Sequence, residues 1–229
     1  MSTDRSAAEN PRSRPTARRP RGAVREGLIA AGLELARAGG PDAVVLREAT
    51  RIVGVVPNAA YRHFADRDEL LAAVCEAAMA RLGDRMAAEV ARVPGERGDG
   101  DADAAFGRMA AVGMAYLEFA REEPGLFATA YALPDQHPYA VPVGVTGPDA
   151  SPLGQLRAGL DELVEVGLLD AGRRAGIEFP VWSTVHGLAV LLGQGPLRGA
   201  PEQDRRMLTD RVLGFIGEGL LTAAAAPDA

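Results

Sequence analysis

A chain of 229 residues, 47% hydrophobic and 24% charged, can bury one good core or two small ones, and it holds no apolar run near the roughly 20 residues that cross a bilayer. A single cysteine, Cys75, excludes an intramolecular disulfide scaffold and a cysteine zinc site, and an Arg- and Pro-rich start excludes a secretory signal, so a cytoplasmic protein without membrane attachment is expected. The net charge of −6 hides a division, because residues 1–67 carry 12 Arg against 7 acidic side chains and the remainder 13 against 24, a basic head on an acidic body.

Residues 1–20 hold almost no large apolar side chain to offset the entropy of ordering, and read as a disordered basic arm. Its arginines, Arg12, Arg14, Arg18 and Arg19, with Arg21 beyond them, leave two readings open: an arm that follows a DNA minor groove, or a solvated tail. From residue 21 to Ala38 the apolar positions Val24, Leu28, Ala31 and Leu35 recur at helical spacing, and Gly39-Gly40-Pro41 ends that helix. A short helix Leu46–Val53 closes on Gly54, and Pro57 opens another over Pro57–Phe64. Asp66 and Glu69 form a capping-box start for a long helix to about Val90, with Leu70, Leu71, Val74, Ala78 and Leu82 along one face and Cys75 as a small buried side chain. A polar, glycine-rich break over residues 95–101 follows.

Beyond the break, Phe106, Met109, Gly113, Tyr116 and Ala120 trace a helix face, Pro124 restarts the chain into residues 125–133, and residues 134–151 form a long loop. Further helices are expected over 152–166, 180–192 and 201–223, the last with Leu208, Val212, Phe215, Ile216 and Leu220 at helical spacing. No segment reads as a strand. The expectation is an all-α protein of about nine helices, divided into the arm (1–20), a helix-turn-helix DNA-binding domain (21–67) and a ligand-binding and dimerisation domain (68–229).

Two short helices joined by a tight glycine turn, with another helix beneath, are what a helix-turn-helix needs. The second must be slim and polar enough for a major groove about 12 Å wide. In Pro57-Asn58-Ala59-Ala60-Tyr61-Arg62-His63-Phe64, the residues Asn58, Ala59 and Arg62 share an outer face, while Ala60 and Phe64, four apart, point inward. The stretch from Leu46 to Leu71, LREATRIVGVVPNAAYRHFADRDELL, resembles the signature of the TetR family of bacterial transcriptional regulators, gapless and near the N-terminus as in that family. The resemblance covers about residues 22–85 and implies a homodimer on a pseudo-palindromic double-stranded DNA operator. It further implies phosphate contacts from Tyr61, His63 and Arg67, and base-edge or backbone contacts from Asn58, Ala59 and Arg62, with Arg47 and Pro57 in the same interface. Among these Arg62 is the candidate for guanine, worth about 1–3 kcal/mol if bidentate.

Two departures stand out. Valines occupy the helix caps at Val45 and Val56, where the family usually has Ser or Thr, and Thr50 and Ile52 replace small alanines, which is expected to crowd the approach of the two helices. In the C-terminal half, Trp182-Ser-Thr-Val-His-Gly-Leu-Ala-Val-Leu-Leu192 resembles the Trp-His-Gly segment of one TetR subgroup, and residues 120–127 its preceding helix junction. The family resemblance implies dimerisation through the last two helices. Gly187, Gly193, Gly214, Gly217 and Gly219 are costly within helices unless close packing compensates them, as a dimer interface would.

The acidic body is expected to hold a small apolar effector whose binding shifts the long fourth helix and releases DNA. Met109, Tyr116, Phe119, Phe127, Tyr131 and Trp182 are the candidate lining, though each taken singly is as well explained as core. No cofactor or metal is implied. Asp99-Gly-Asp-Ala-Asp103 lacks the glycine and terminal Glu of a calcium loop, His63 has no neighbouring second ligand, and Trp182 with His186 reads as helix packing. Ser183 and His186 share a helix without a nucleophile elbow, so catalysis has no constellation to rest on. The rivals are a helical enzyme on the same fold and a dimeric partner-binding protein that has lost DNA binding.

Overall fold

A computed structural model describes residues 21–132 and 150–222; the basic arm, most of the expected 134–151 loop and the last residues lie outside them. Nine α-helices and no strand occur among the described residues. They are α1 (Arg21–Gly39), α2 (Leu46–Val53), α3 (Pro57–Ala60), α4 (Arg67–Val90), α5 (Ala102–Glu122), α6 (Pro124–Ala130), α7 (Pro152–Glu165), α8 (Glu178–Gly193) and α9 (Glu202–Thr222). Single 3-10 turns at Pro41–Ala43 and Ala171–Arg173 were not expected from periodicity.

Side-chain caps fix where several helices begin. Asp66 accepts the Glu69 N–H at 2.9 Å, the forward half of the expected capping box, while Glu69 reaches past the cap to the Ala65 N–H; Asp101 and Ser151 cap α5 and α7 through Ala104 and Gly154, each at 3.0 Å. Asp101 thereby accounts for part of the acidic cluster that superficially suggested calcium. Val45 and Val56 make no such bond, as their side chains require, and each omission costs about 1 kcal/mol. Gly54 ends α2 at φ 72°, a left-handed position that valine or threonine would not tolerate.

Two local expectations need correction. The third helix stops at Ala60 instead of Phe64: the chain turns through residues 61–63, with His63 N–H donating to the Ala60 carbonyl over 2.8 Å and Phe64 N–H over 3.0 Å. That shared carbonyl keeps Ala60 and Phe64 stacked inward at the anticipated spacing while freeing the chain to reverse into α4. Nor does Ile52 crowd the helix pair, being 42% exposed, whereas Thr50 is buried with its hydroxyl turned back onto the Arg47 carbonyl at 2.6 Å.

Leu28, Val44, Phe64, Leu70 and Val74 close the core of the N-terminal head, with the Arg25 guanidinium 5.3 Å above the Phe64 ring. The same α4 continues into the C-terminal helices, packing against α5, α6 and α7 through residues such as Leu82 and Met86. Between head and body, α6 meets the end of α1 so closely that a Cβ on Gly125 would run into the Ala36 and Arg37 carbonyls. Arg37 and Glu123, 2.7 Å apart, brace the same junction.

Deep in the body, Arg108 of α5 donates to Glu162 of α7 at 2.6 and 3.0 Å, both side chains almost wholly buried. Its Nη1 donates to the Gly95 carbonyl and its Nη2, already on Glu162, also reaches the Glu96 carbonyl, so the glycine-rich break is anchored to the core.

Candidate nucleic-acid interface and effector cavity

Because α3 begins with Pro57 and has only one turn, its start is held by neighbours instead of by its own length. Ala60 is inaccessible to solvent and Phe64 nearly so, which leaves Val56, Pro57, Asn58, Tyr61 and Arg62 outward and Ala59 and His63 half-buried. Arg47 is exposed on α2, and Arg51 beside it pairs with Glu48 at 2.8 Å. A hydroxyl, an amide, an imidazole and two guanidinium groups thus stand near one surface turn.

Arg67 behaves differently from the expectation of a phosphate ligand. Its Nε donates to the Val44 carbonyl at 3.0 Å and its Nη2 to the Pro41 carbonyl at 2.8 Å. Here it ties the first turn of α4 to the α1–α2 connection. The spacing of residues could not indicate this, since the acceptors are main-chain carbonyls 23 and 26 residues away.

The C-terminal helices enclose a cavity of about 310 Å³ between α5, α7, α8 and α9. Met109, Tyr116 and Trp182 line it as expected, together with Phe106, Leu153, Leu156, Val181, Val185, Leu213 and Ile216. Phe119, Phe127 and Tyr131 are not among its walls. Phe119 and Phe127 are buried core, and Tyr131 stands behind Tyr116 with the two hydroxyls 2.7 Å apart. Selecting aromatic residues overlooked the aliphatic walls from α7 and α9, which carry no mark distinguishing them from ordinary core.

A hydroxyl–imidazole pair stands behind one wall of this apolar space. Tyr116 lines the cavity, and its hydroxyl is 2.8 Å from His186 Nδ1. Phe127, Tyr131 and Trp182 surround the imidazole with centroids 5.6, 4.7 and 5.9 Å away, and burial holds its pKa below the usual value. Among the described residues, Asp210 is the one charged side chain in the walls, and it is exposed on α9.

On α8 and α9, Val190, Leu191, Met207, Phe215 and Leu221 are exposed, with Phe215 70% accessible. A Cβ placed on Gly187, Gly193, Gly214 or Gly219 would meet nothing within 4 Å, whereas on Gly217 it would press against the Phe106 ring at 3.0 Å. Gly217 is therefore explained within the chain; the other four border open space, Gly214 at the cavity.

Comparison with known proteins matches two parts of this architecture. Residues 28–74 match the family described as bacterial regulatory proteins, tetR family, and residues 109–216 match the tetracyclin repressor-like C-terminal domain. The chain belongs to the TetR family. TetR-family membership makes it a DNA-binding transcription regulator and not an enzyme, within a family whose members act as dimers responsive to ligands.

Solved structures share the TetR-like fold at low identity. A Rhodococcus sp. RHA1 protein of unknown function is 24% identical, with TM-score 0.61 and coverage of 93% of this chain and 100% of its own. A TetR-family transcriptional regulator from Pectobacterium atrosepticum is 19% identical, with TM-score 0.61 and coverage of 88% and 95%. RolR, solved with the ligand resorcinol, is 17% identical, with TM-score 0.57 and coverage of 91% and 96%. No curated protein matches.

Among the described residues no cluster of three or more metal-binding side chains occurs, and no helix is long and apolar enough to cross a membrane. Cys75 is buried on α4, and burial pushes its thiol up to about 11, so its reactive thiolate is scarce at neutral pH.

Proposed function

We propose that this TetR-family protein is a homodimeric repressor that binds a pseudo-palindromic operator through α2 and α3 and is released by a small, mainly apolar effector in the α5–α9 cavity. The observation that carries the reading is a cavity of about 310 Å³, lined by apolar side chains together with Tyr116, Trp182 and the exposed Asp210, in the same chain as an outward-facing helix-turn-helix. The head (21–67) and the ligand-binding and dimerisation part (68–229) are joined by α4. Phosphate contacts come from Tyr61, His63 and Arg47, and base-edge contacts from the exposed start of α3. Arg67 acts indirectly, holding the connection before α2 in place.

Helix α6 offers a second route between the parts. Its Phe127 packs edge-on against Tyr116, with ring centroids 5.5 Å apart, and its start abuts α1 at Gly125. An effector that displaces Tyr116 therefore bears on α6 as well as α4, and differential affinity for the two head arrangements supplies the release. Dimerisation runs through α8 and α9, supported by their exposed apolar side chains and open glycines. A small phenol suits an apolar cavity with Tyr116 and Trp182 in its walls, and the resorcinol bound by the fold-mate RolR makes that compound a sensible first probe.

Fluorescence anisotropy with labelled DNA from upstream of the protein's own gene tests the proposal. The expected result is saturable, salt-sensitive binding by a dimer, reversed by a cavity ligand found in a screen of phenols and apolar aromatics. A folded dimer that binds none of this DNA at low salt would instead favour a partner-binding protein with bare Val45 and Val56 caps.

A further inference from the structure

Resting on the assignment of α2 and α3 to the operator, we propose that the start of α3 reads thymine methyl groups, with Val56 as the specificity-determining side chain. A recognition helix directs its N-terminal residues to base edges, and those residues here are Val56, Pro57 and Asn58, all exposed and none charged. Val56 is 68% exposed, so its methyl groups are not committed to the protein core. It also forms no side-chain cap, so the position serves neither of the usual needs of a helix start.

In the major groove the C5-methyl of thymine is the apolar group displayed by the four unmodified bases, and it is the one a branched aliphatic side chain can recognise. Asn58 supplies an amide suited to adenine N6 and N7. An apolar side chain followed two residues later by an amide therefore favours a half-site containing T·A pairs. Arg62, expected to read guanine, lies beyond the end of α3, in the turn at residues 61–63. There it belongs with the phosphate-facing cations, which removes the one guanine reader from the tip.

The test uses the full-length protein and a random pool of double-stranded DNA. After selection, each thymine of the recovered half-site is replaced in turn by deoxyuridine, which removes the methyl and leaves the pairing edge unchanged. At one or two positions the wild type should lose about fourfold in affinity per methyl, while Val56→Ala binds the two duplexes equally. Val45→Ala, a change at the other uncapped valine, should keep the wild-type uracil sensitivity. Retention of DNA with no uracil-sensitive position, or equal sensitivity in Val56→Ala and wild type, would overturn the proposal alone. A pool from which the folded dimer retains nothing would overturn it together with the operator assignment.

Discussion

The Tyr116 hydroxyl and His186 Nδ1, 2.8 Å apart, join α5 to α8 beside the cavity. The imidazole is packed among Phe127, Tyr131 and Trp182, and burial lowers its pKa from about 6.5, favouring the neutral ring. As pH falls, the unfolded chain takes up this proton before the folded one does. Stability present above about pH 6.5 is therefore lost as pH drops through the folded-state pKa. Melting between about pH 7.5 and 5.5 should show a steeper fall for wild type than for His186→Asn; parallel curves would acquit His186.

The buried Arg108–Glu162 pair makes a prediction with a built-in control. Removing Arg108 leaves the buried Glu162 with only the partly exposed Arg97, 2.9 Å away, so Arg108→Leu should destabilise by about 2–4 kcal/mol in denaturant unfolding. Arg108→Leu combined with Glu162→Leu should recover a large part of that loss. If the double variant is as unstable as the sum of the singles, the carbonyl bonds from Arg108 to residues 95 and 96 matter more than the ion pair.

At the head, Val45 precedes α2 in extended conformation and supplies no side-chain acceptor. Val45→Thr should add one, raising stability by about 0.5–1 kcal/mol in urea titration. An unchanged midpoint would mean that water already satisfies the free N–H groups of α2.

Phe215 is the most exposed large apolar side chain among the described residues. Phe215→Glu should weaken self-association by about 2 kcal/mol, roughly thirtyfold in Kd by analytical ultracentrifugation, without altering the helical circular dichroism of the chain. A variant dimer as tight as wild type would move the interface off this face of α9.

Features carried by local chemistry were legible in the sequence. The bounds of α2 came from its apolar pattern and Gly54, the start of α4 from Asp66 and Glu69, and the inward pair Ala60 and Phe64 from their spacing. Features that depend on distant main chain were not. The bonds from Arg67 to the Pro41 and Val44 carbonyls have no local mark, and Arg108 and Glu162, 54 residues apart, share no local signal. The cavity was half legible: Met109, Tyr116 and Trp182 stand out by type, while Leu153 of α7 and Leu213 of α9 line it only through tertiary packing that leaves no local mark.

Helix α9 turns Leu213 and Ile216 toward the cavity and leaves Phe215 on the outside. An effector that moves this helix from within also changes the face it offers to a second subunit, so occupancy and assembly are thermodynamically linked. Under the proposed function, the dose needed for release would then vary with how much of the regulator the cell contains.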